Sequence, residues 1–240
     1  MALLSGCFSV RVSGRILHEF NLFACATLRI CAIIQGYKFG RHGFAGGRGR
    51  EAFMADFGSA RKWARALIEA NVGAGARIVD GTIGNGYDTE WLAGLVGKDG
   101  HVFGFDIQPE AVERTRTRLE SAGLSDRATL ICDGHQSLAS YVKEPLDAAV
   151  FNLGWLPGSP HACTTHVDTT LQAADSALSL LKPGGVLTIC VYPGHEEGSR
   201  EREALLAWAR ALDDGVFDAM VQEYLNIRKQ PPLLIAVTRR

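Results

Sequence analysis

From about residue 59 to the C-terminus, apolar positions fall alternately at helix spacing and in short β-branched runs. Apolar residues three and four apart predict helices over 59–70, 87–96, 109–122, 165–181 and 197–212. Runs rich in Val, Ile, Leu and Phe predict strands over 77–80, 101–106, 129–132, 148–152, 186–192, 217–225 and 233–238. The order is five βα steps, then a helix and two closing strands joined by the loop 226–232. This specifies an α/β fold in which helices cover both faces of a mostly parallel sheet that ends in an antiparallel hairpin. The simplest dinucleotide-binding fold has no place for such a hairpin. No internal repeat is present.

Residues 1–53 behave differently. They lack amphipathic periodicity and end in a Gly/Arg-rich stretch, 40–50, that reads as a flexible linker. They hold seven Lys and Arg against two Asp and Glu. Three origins fit a basic, acid-poor leader: an organelle transit peptide, a disordered extension, or an upstream start with Met54 as the working first residue. The folded domain is expected over 54–240, with the leader carrying no chemistry.

Composition narrows the class. A chain of 240 residues, 47% hydrophobic and 21% charged, suits one sizeable globular core. Arg29 interrupts its most apolar early segment, so nothing reaches the roughly 18 to 20 apolar residues of a membrane span, and a cytoplasmic protein is expected. The six cysteines form no C-x-x-C pair and no zinc or disulfide spacing, which fits a reducing compartment and no metal. Cys132 and Cys190 lie in apolar runs and are expected to be buried strand residues. The net charge of −1 leaves the body after residue 53 mildly acidic, so a nucleic-acid substrate would need a local basic patch.

The chemistry gathers at predicted strand ends. Asp80 closes the first strand and leads into Gly81-Thr82-Ile83-Gly84-Asn85-Gly86, where glycines allow a tight turn and close approach of a ligand. An acid there suits a cationic ligand group and would repel a pyrophosphate. The order G-x-x-G-x-G also departs from the dinucleotide fingerprint G-x-G-x-x-G. A tight turn without ligand is the bland alternative. Asp106 ends the next strand about 20 residues on, where a carboxylate accepts ribose hydroxyls. Gln108 adds a hydrogen bond there or begins a solvated helix. Asp133 suits an adenine amino group or a helix N-cap. Open α/β sheets bind ligands at this edge.

The fourth strand delivers Asn152 into Leu153-Gly154-Trp155-Leu156-Pro157-Gly158. This resembles the Asn-Pro-Pro-Tyr loop of amino methyltransferases, with Asn152 and Trp155 at the Asn and aromatic positions and Leu153-Gly154 in place of the prolines. An Asn oxygen and a backbone carbonyl can accept both hydrogens of an amine and aim its lone pair, while the aromatic stacks on the attached ring. A buried structural Asn and a core Trp are the alternative. After the fifth strand, His195 is either a general base, its ordinary pKa lying near about 6.5, or a solvent-facing turn residue. Glu201 could position it; His135 and His166 are weaker bases.

Together these blocks resemble class I S-adenosylmethionine-dependent methyltransferases. Within that class they resemble the rRNA methylase family, whose characterised members are MnmM-type tRNA methyltransferases. The matching blocks are Asp80 to Thr89, Gly104 to Gln108, Gly134-His135, Phe151 to Gly158, Thr164-Thr165, Leu181 to Gly185 and Tyr192 to His195, over about residue 56 to the C-terminus. The resemblance implies a Rossmann-like, seven-stranded methyltransferase fold and S-adenosylmethionine as cofactor. It implies methylation of the aminomethyl group of a modified wobble uridine in the anticodon region of tRNA, and a homodimer. The expected cofactor residues are Asp80, Thr82, Gly84, Asn85, Gly86, Asp88, Thr89, Asp106, Gln108, Asp133 and His135. Asn152, Trp155 and His195 are expected to be catalytic, and Tyr192, Arg228 and Lys229 to bind substrate, with Arg239 and Arg240 as further phosphate contacts. Gln136 stands where the family has Glu, and 226–230 departs from its Asn-rich loop. Residues 1–53 match nothing in it. The competing readings are a methyltransferase of a small-molecule amine or hydroxyl, an NAD-dependent oxidoreductase, and a non-catalytic binding module.

Overall fold

The computed structural model describes residues 58–154 and 164–240, with residues 11–12 and 15–16. The chain divides into two units, Met1–Met54 and Ala55–Arg240. In the first, β1 (Arg11–Val12) and β2 (Arg15–Ile16) pair antiparallel. The remaining expectations for residues 1–53, and those for Trp155, lie outside the described residues.

In the second unit, α1 (Ala60–Asn71) starts where the Ser59 hydroxyl accepts the Lys62 N–H, and it buries the stripe Ala60, Ala64 and Ile68. There follow β3 (Arg77–Asp80), α2 (Tyr87–Val96), β4 (His101–Phe105) and α3 (Pro109–Ala122). Pro109 opens α3 with a φ already suited to a first helical turn, and Gly123, at φ 67°, ends it in the left-handed conformation. The chain continues through β5 (Ala128–Ile131), α4 (Leu138–Tyr141), β6 (Leu146–Asn152), α5 (Val167–Leu180), β7 (Leu181–Val191) and α6 (Glu196–Arg210). The closing strands are β8 (Phe217–Gln222) and β9 (Leu233–Arg239).

The seven strands lie in the order β5-β4-β3-β6-β7-β9-β8. The first five run parallel, and β9 pairs antiparallel with both β7 and β8. The order reverses between β3 and β6, and the crevice outside the carboxyl ends of the strands at such a point is where open sheets take ligands. One core face packs Phe105, Phe151, Leu187 and Ile189 with α5 and α6; the other packs Ile78 of β3 with Ile68, Leu92 and Leu119 from α1, α2 and α3. Each such side chain stabilises the fold by about 1.5 to 3 kcal/mol.

The fold is the one the hydrophobic pattern predicts, with the short α4 added between β5 and β6 and three further local differences. β7 begins at Leu181, not residue 186, because Leu181 pairs with Leu146 across an irregularity before the regular ladder starts at Ala148 and Val186. β8 stops at Gln222, and Leu225 stands 95% exposed, so the apolar run beyond 222 leaves the sheet. Cys132 is exposed just past the end of β5, contrary to its expected burial, whereas Cys190 is buried in β7. Among the described residues no helix is long and apolar enough to cross a membrane.

Candidate active site

A cavity of about 670 Å³ opens at the carboxyl edge of the parallel strands. Its floor is the turn after β3. Gly84 and Gly86 adopt φ of 57° and 78°, and the Gly84 N–H is received by Asp106 Oδ2 at 2.9 Å. At Gly81 a Cβ would stand 2.2 Å from the Phe151 ring, so only glycine lets the chain pass between that ring and the cavity.

Asp80 corrects its expected role. Its carboxylate is fully buried and does not line the cavity. Oδ2 accepts the Thr89 hydroxyl at 2.7 Å and Oδ1 the Thr82 N–H at 3.2 Å. Burial, offset in part by these bonds, pushes its pKa up to about 7. Asp80 thus braces the turn from behind, with Thr89. Gly86 is also absent from the cavity wall: a Cβ there would stand 2.6 Å from Thr115 Oγ1, so it serves the packing of α2 on α3.

The ends of β4 and β5 form the second wall. Asp106 Oδ1 accepts the Gln108 N–H at 3.0 Å, and with Gly84 on Oδ2 each oxygen holds one backbone donor and keeps capacity for a ligand hydroxyl. Asp133 accepts the Gly134 N–H at 2.7 Å and the Tyr141 hydroxyl at 3.0 Å, and these donors hold its pKa below the ordinary carboxylate range. It caps no helix: Gly134 occupies that position. His135 is buried, which pushes its pKa down, and its Nδ1 lies 3.2 Å from the Gly81 carbonyl. In the neutral ring Nδ1 is therefore the donor and Nε2 an acceptor. Ile107, exposed beside Asp106, adds apolar lining that was not singled out in the sequence.

Where β6 and β7 end, Asn152 donates Nδ2–H to Asp88 Oδ2 at 3.1 Å, and its backbone N–H to Thr82 Oγ1 at 2.7 Å. Asp88 in turn accepts from Arg61 and Arg65 on α1. Tyr192 borders the same corner. Burial first, then nearby negative charge, pushes its pKa up to about 12, so its hydroxyl stays protonated.

His195 lines the cavity and also has a structural role. Its Nδ1 accepts the Gly198 N–H at 3.1 Å, making it the N-cap of α6. In the neutral ring the proton then sits on Nε2. Glu201 does not reach His195 either. Its carboxylate, 1% exposed, accepts the hydroxyls of Thr165 and Thr170, each at 2.8 Å. His166, largely exposed, faces Glu197 at 3.5 Å. Spacing along the chain could not reveal the pairings of Glu201 and His166, because those partners lie on other elements, whereas the His195 cap is local.

The loop between β8 and β9 closes the mouth with Lys229, Gln230, Pro231 and Pro232, while Arg228 does not line it. Arg239 and Arg240 cannot serve the site. β9 runs antiparallel to β7, with Leu233 opposite Val191 and Thr238 opposite Val186, which puts its end at the opposite edge of the sheet. There Arg239 donates to the Leu181 carbonyl at 2.6 Å and Arg240 pairs with Asp218.

A glycine turn, acids at successive strand ends and an Asn at the fourth, on a five-strand parallel sheet closed by an antiparallel hairpin, define a class I methyltransferase that uses S-adenosylmethionine. Residues 102–238 match the model of the family described as "Putative rRNA methylase", and the chain belongs to that family. Over 220 residues it is 30% identical to the chloroplastic tRNA (mnm(5)s(2)U34)-methyltransferase of Arabidopsis thaliana, covering 87% of this chain and 73% of that protein. That share exceeds residues 54–240 alone, so the match reaches into the leader expected to match nothing. The crystal structure of a protein from Clostridium thermocellum described as a "putative rRNA-methylase" superposes with a TM-score of 0.75 at 38% identity, over 76% of this chain and 98% of that one. A protein from Streptococcus mutans described as a "putative methyltransferase", solved in complex with SAH, gives 0.71 at 34% identity, over 76% and 99%.

Proposed function

We propose that this enzyme is a cytoplasmic N-methyltransferase acting on the aminomethyl group of a modified wobble uridine in tRNA. The observation that carries the reading is Asn152: its amide nitrogen is committed to Asp88, so its carbonyl oxygen is the atom left to accept an amine hydrogen at the cavity corner. The Arabidopsis relative, named for methylating a wobble uridine derivative, supports the same substrate class.

S-adenosylmethionine supplies an electrophilic methyl group. The pocket fits it: Asp106 retains acceptors for ribose hydroxyls, Asp133 an acceptor for an exocyclic amine, and Ile107 an apolar face. Thr82, Gly84, Asn85, Gln108 and His135 complete that lining. Asn152 orients the amine and Tyr192 packs beside it. Holding the neutral amine in place is itself the larger part of such catalysis. The amine loses its proton to water, because His195 is engaged as a cap and Tyr192 stays protonated. Lys229, at the mouth, faces where a tRNA phosphate would pass.

The test is transfer of labelled methyl to total tRNA from a strain lacking the wobble methylation, with wild type, Asn152→Ala and Asp106→Ala. Label in a 5-methylaminomethyl-type uridine, lost in both variants, upholds the reading. Unlabelled tRNA with intact cofactor binding overturns the substrate and leaves the class. A small-molecule amine is the second reading, favoured by the mildly acidic charge balance after residue 53, and a labelled metabolite pool run in parallel separates the two.

A further inference from the structure

Asp88, the second residue of α2, gathers three side chains from two other elements. Arg61 reaches it at 3.0 and 3.1 Å, Arg65 Nε at 3.1 Å, and Asn152 Nδ2 at 3.1 Å. Its side chain is 12% exposed, whereas those of Arg61 and Arg65 are 45% and 38% exposed, so the arginines brace it from the solvent side. Arg65 is itself held over the Trp91 ring, 4.7 Å from its centroid. A carboxylate only accepts. The Asn152 atom that faces it must therefore be the nitrogen, and the planar amide then carries Oδ1 on its other side. Among the described residues no donor reaches Oδ1. The backbone end of the same residue is pinned by Thr82, so neither the position nor the flip of the amide is free.

We propose that Asp88, braced by Arg61 and Arg65, is a positioning residue for methyl transfer: it fixes the Asn152 carboxamide so that its oxygen, and not its nitrogen, meets the acceptor amine. This rests on the reading of Asn152 as the amine acceptor. It departs from the expectation that Asp88 binds the cofactor, since its oxygens are spent on protein donors. Asn in its place would present either an oxygen or a nitrogen to Asn152, and both amide orientations would be populated.

The experiment measures single-turnover methyl transfer to undermethylated tRNA, SAH affinity by calorimetry and thermal melting, for Asp88→Asn, Asn152→Ala, Asn152→Asp and the doubles Asp88→Asn/Asn152→Ala and Asp88→Asn/Asn152→Asp. Misorienting a bound reactant costs up to about 100-fold, so Asp88→Asn is expected to slow transfer about 10- to 100-fold while SAH affinity stays within about threefold. In the Asn152→Ala background it should add nothing, because a residue acting through Asn152 has nothing left to act on. The exchanged double, Asp88→Asn/Asn152→Asp, restores a donor facing an acceptor and is expected to transfer faster than Asn152→Asp alone. Arg65→Gln, which keeps Asp88 but loosens its brace, should slow transfer in the same direction.

Undiminished transfer by Asp88→Asn overturns the inference. So does a loss that persists in full when Asn152 is already Ala, or one that lies wholly in SAH affinity and marks a cofactor ligand. Should Asn152→Ala itself transfer at the wild-type rate, the amine reading fails first and this inference with it.

Discussion

Thr165 donates its hydroxyl to the buried carboxylate of Glu201 at 2.8 Å while accepting the backbone N–H of Gly154 at 2.9 Å, which ties α6 to the loop that leaves β6 just after Asn152. Thr170 donates to the other oxygen of Glu201, so both carboxylate oxygens are engaged by hydroxyls. The cost of burying the acid raises its pKa, and the two hydroxyls offset part of that cost.

Glu201→Ala is therefore expected to destabilise the protein by about 2 to 4 kcal/mol, since a hydrogen bond to a charged group contributes about 1.5 to 3 kcal/mol and Thr165 and Thr170 lose their acceptor together. Urea unfolding measures this. Methyl transfer should fall as well, because the Gly154 N–H loses the support that Glu201 gives Thr165. A stability change below about 0.5 kcal/mol, the range of surface substitutions, would refute the clamp.

Asp80 predicts a pH dependence. Its folded pKa of about 7 lies above the unfolded value near 3.9. Between those values the folded state keeps a proton that the unfolded state has released, so stability falls as pH rises through this window and is level above about 7. The total is at most about 4 kcal/mol, from roughly three units at 1.36 kcal/mol each. Asp80→Asn removes the titration, and an amide can still bond Thr89 and the Thr82 N–H. The melting temperature of wild type minus that of Asp80→Asn should thus be largest near about pH 4, shrink as pH rises to about 7 and stay level above it. Parallel curves would refute it.

The order of elements along the chain, the closing hairpin and the gathering of Asp106, Asp133 and Asn152 at one sheet edge were readable, because period and strand-end position are local properties of the chain, whereas the order of the strands within the sheet is not. What was not readable is what each polar atom bonds to. Asp80 sits at the predicted strand end, but burial turned it from ligand to brace. His195 sits at the predicted loop, yet Gly198 three residues on takes its nitrogen. On α1 alone Arg61 and Arg65 read as a solvated face, and only the packing of α1 beside α2 brings them to Asp88. Arg239 reads as a basic terminus until the antiparallel direction of β9 removes it to the far edge.

His195 as a cap has its own consequence. Asn is among the best N-cap residues, so His195→Asn should keep both stability and the acidic limb of the profile of kcat/KM against pH. His195→Ala should cost about 1 kcal/mol of stability. Disappearance of the acidic limb in His195→Asn would reinstate the histidine as base.

Gly81 lies where cofactor floor and core meet. A Cβ there would stand 2.2 Å from the Phe151 ring, itself only 2% exposed and held edge-on by His135 with ring centroids 5.7 Å apart. The ring cannot retreat without pushing His135, whose Nδ1 is bonded to the carbonyl of Gly81 itself. Gly81→Ala should thus cost at least the 1 to 3 kcal/mol, roughly, of overpacking a filled core, and the turn should give way on the cavity side. SAH affinity is then expected to fall more than the melting temperature would foretell. The paired change Gly81→Ala/Phe151→Leu, which makes room behind the new methyl, should recover much of both. Loss of SAH affinity that persists in the double would mean that the methyl meets the ligand directly and that the Phe151 ring is not what excludes it.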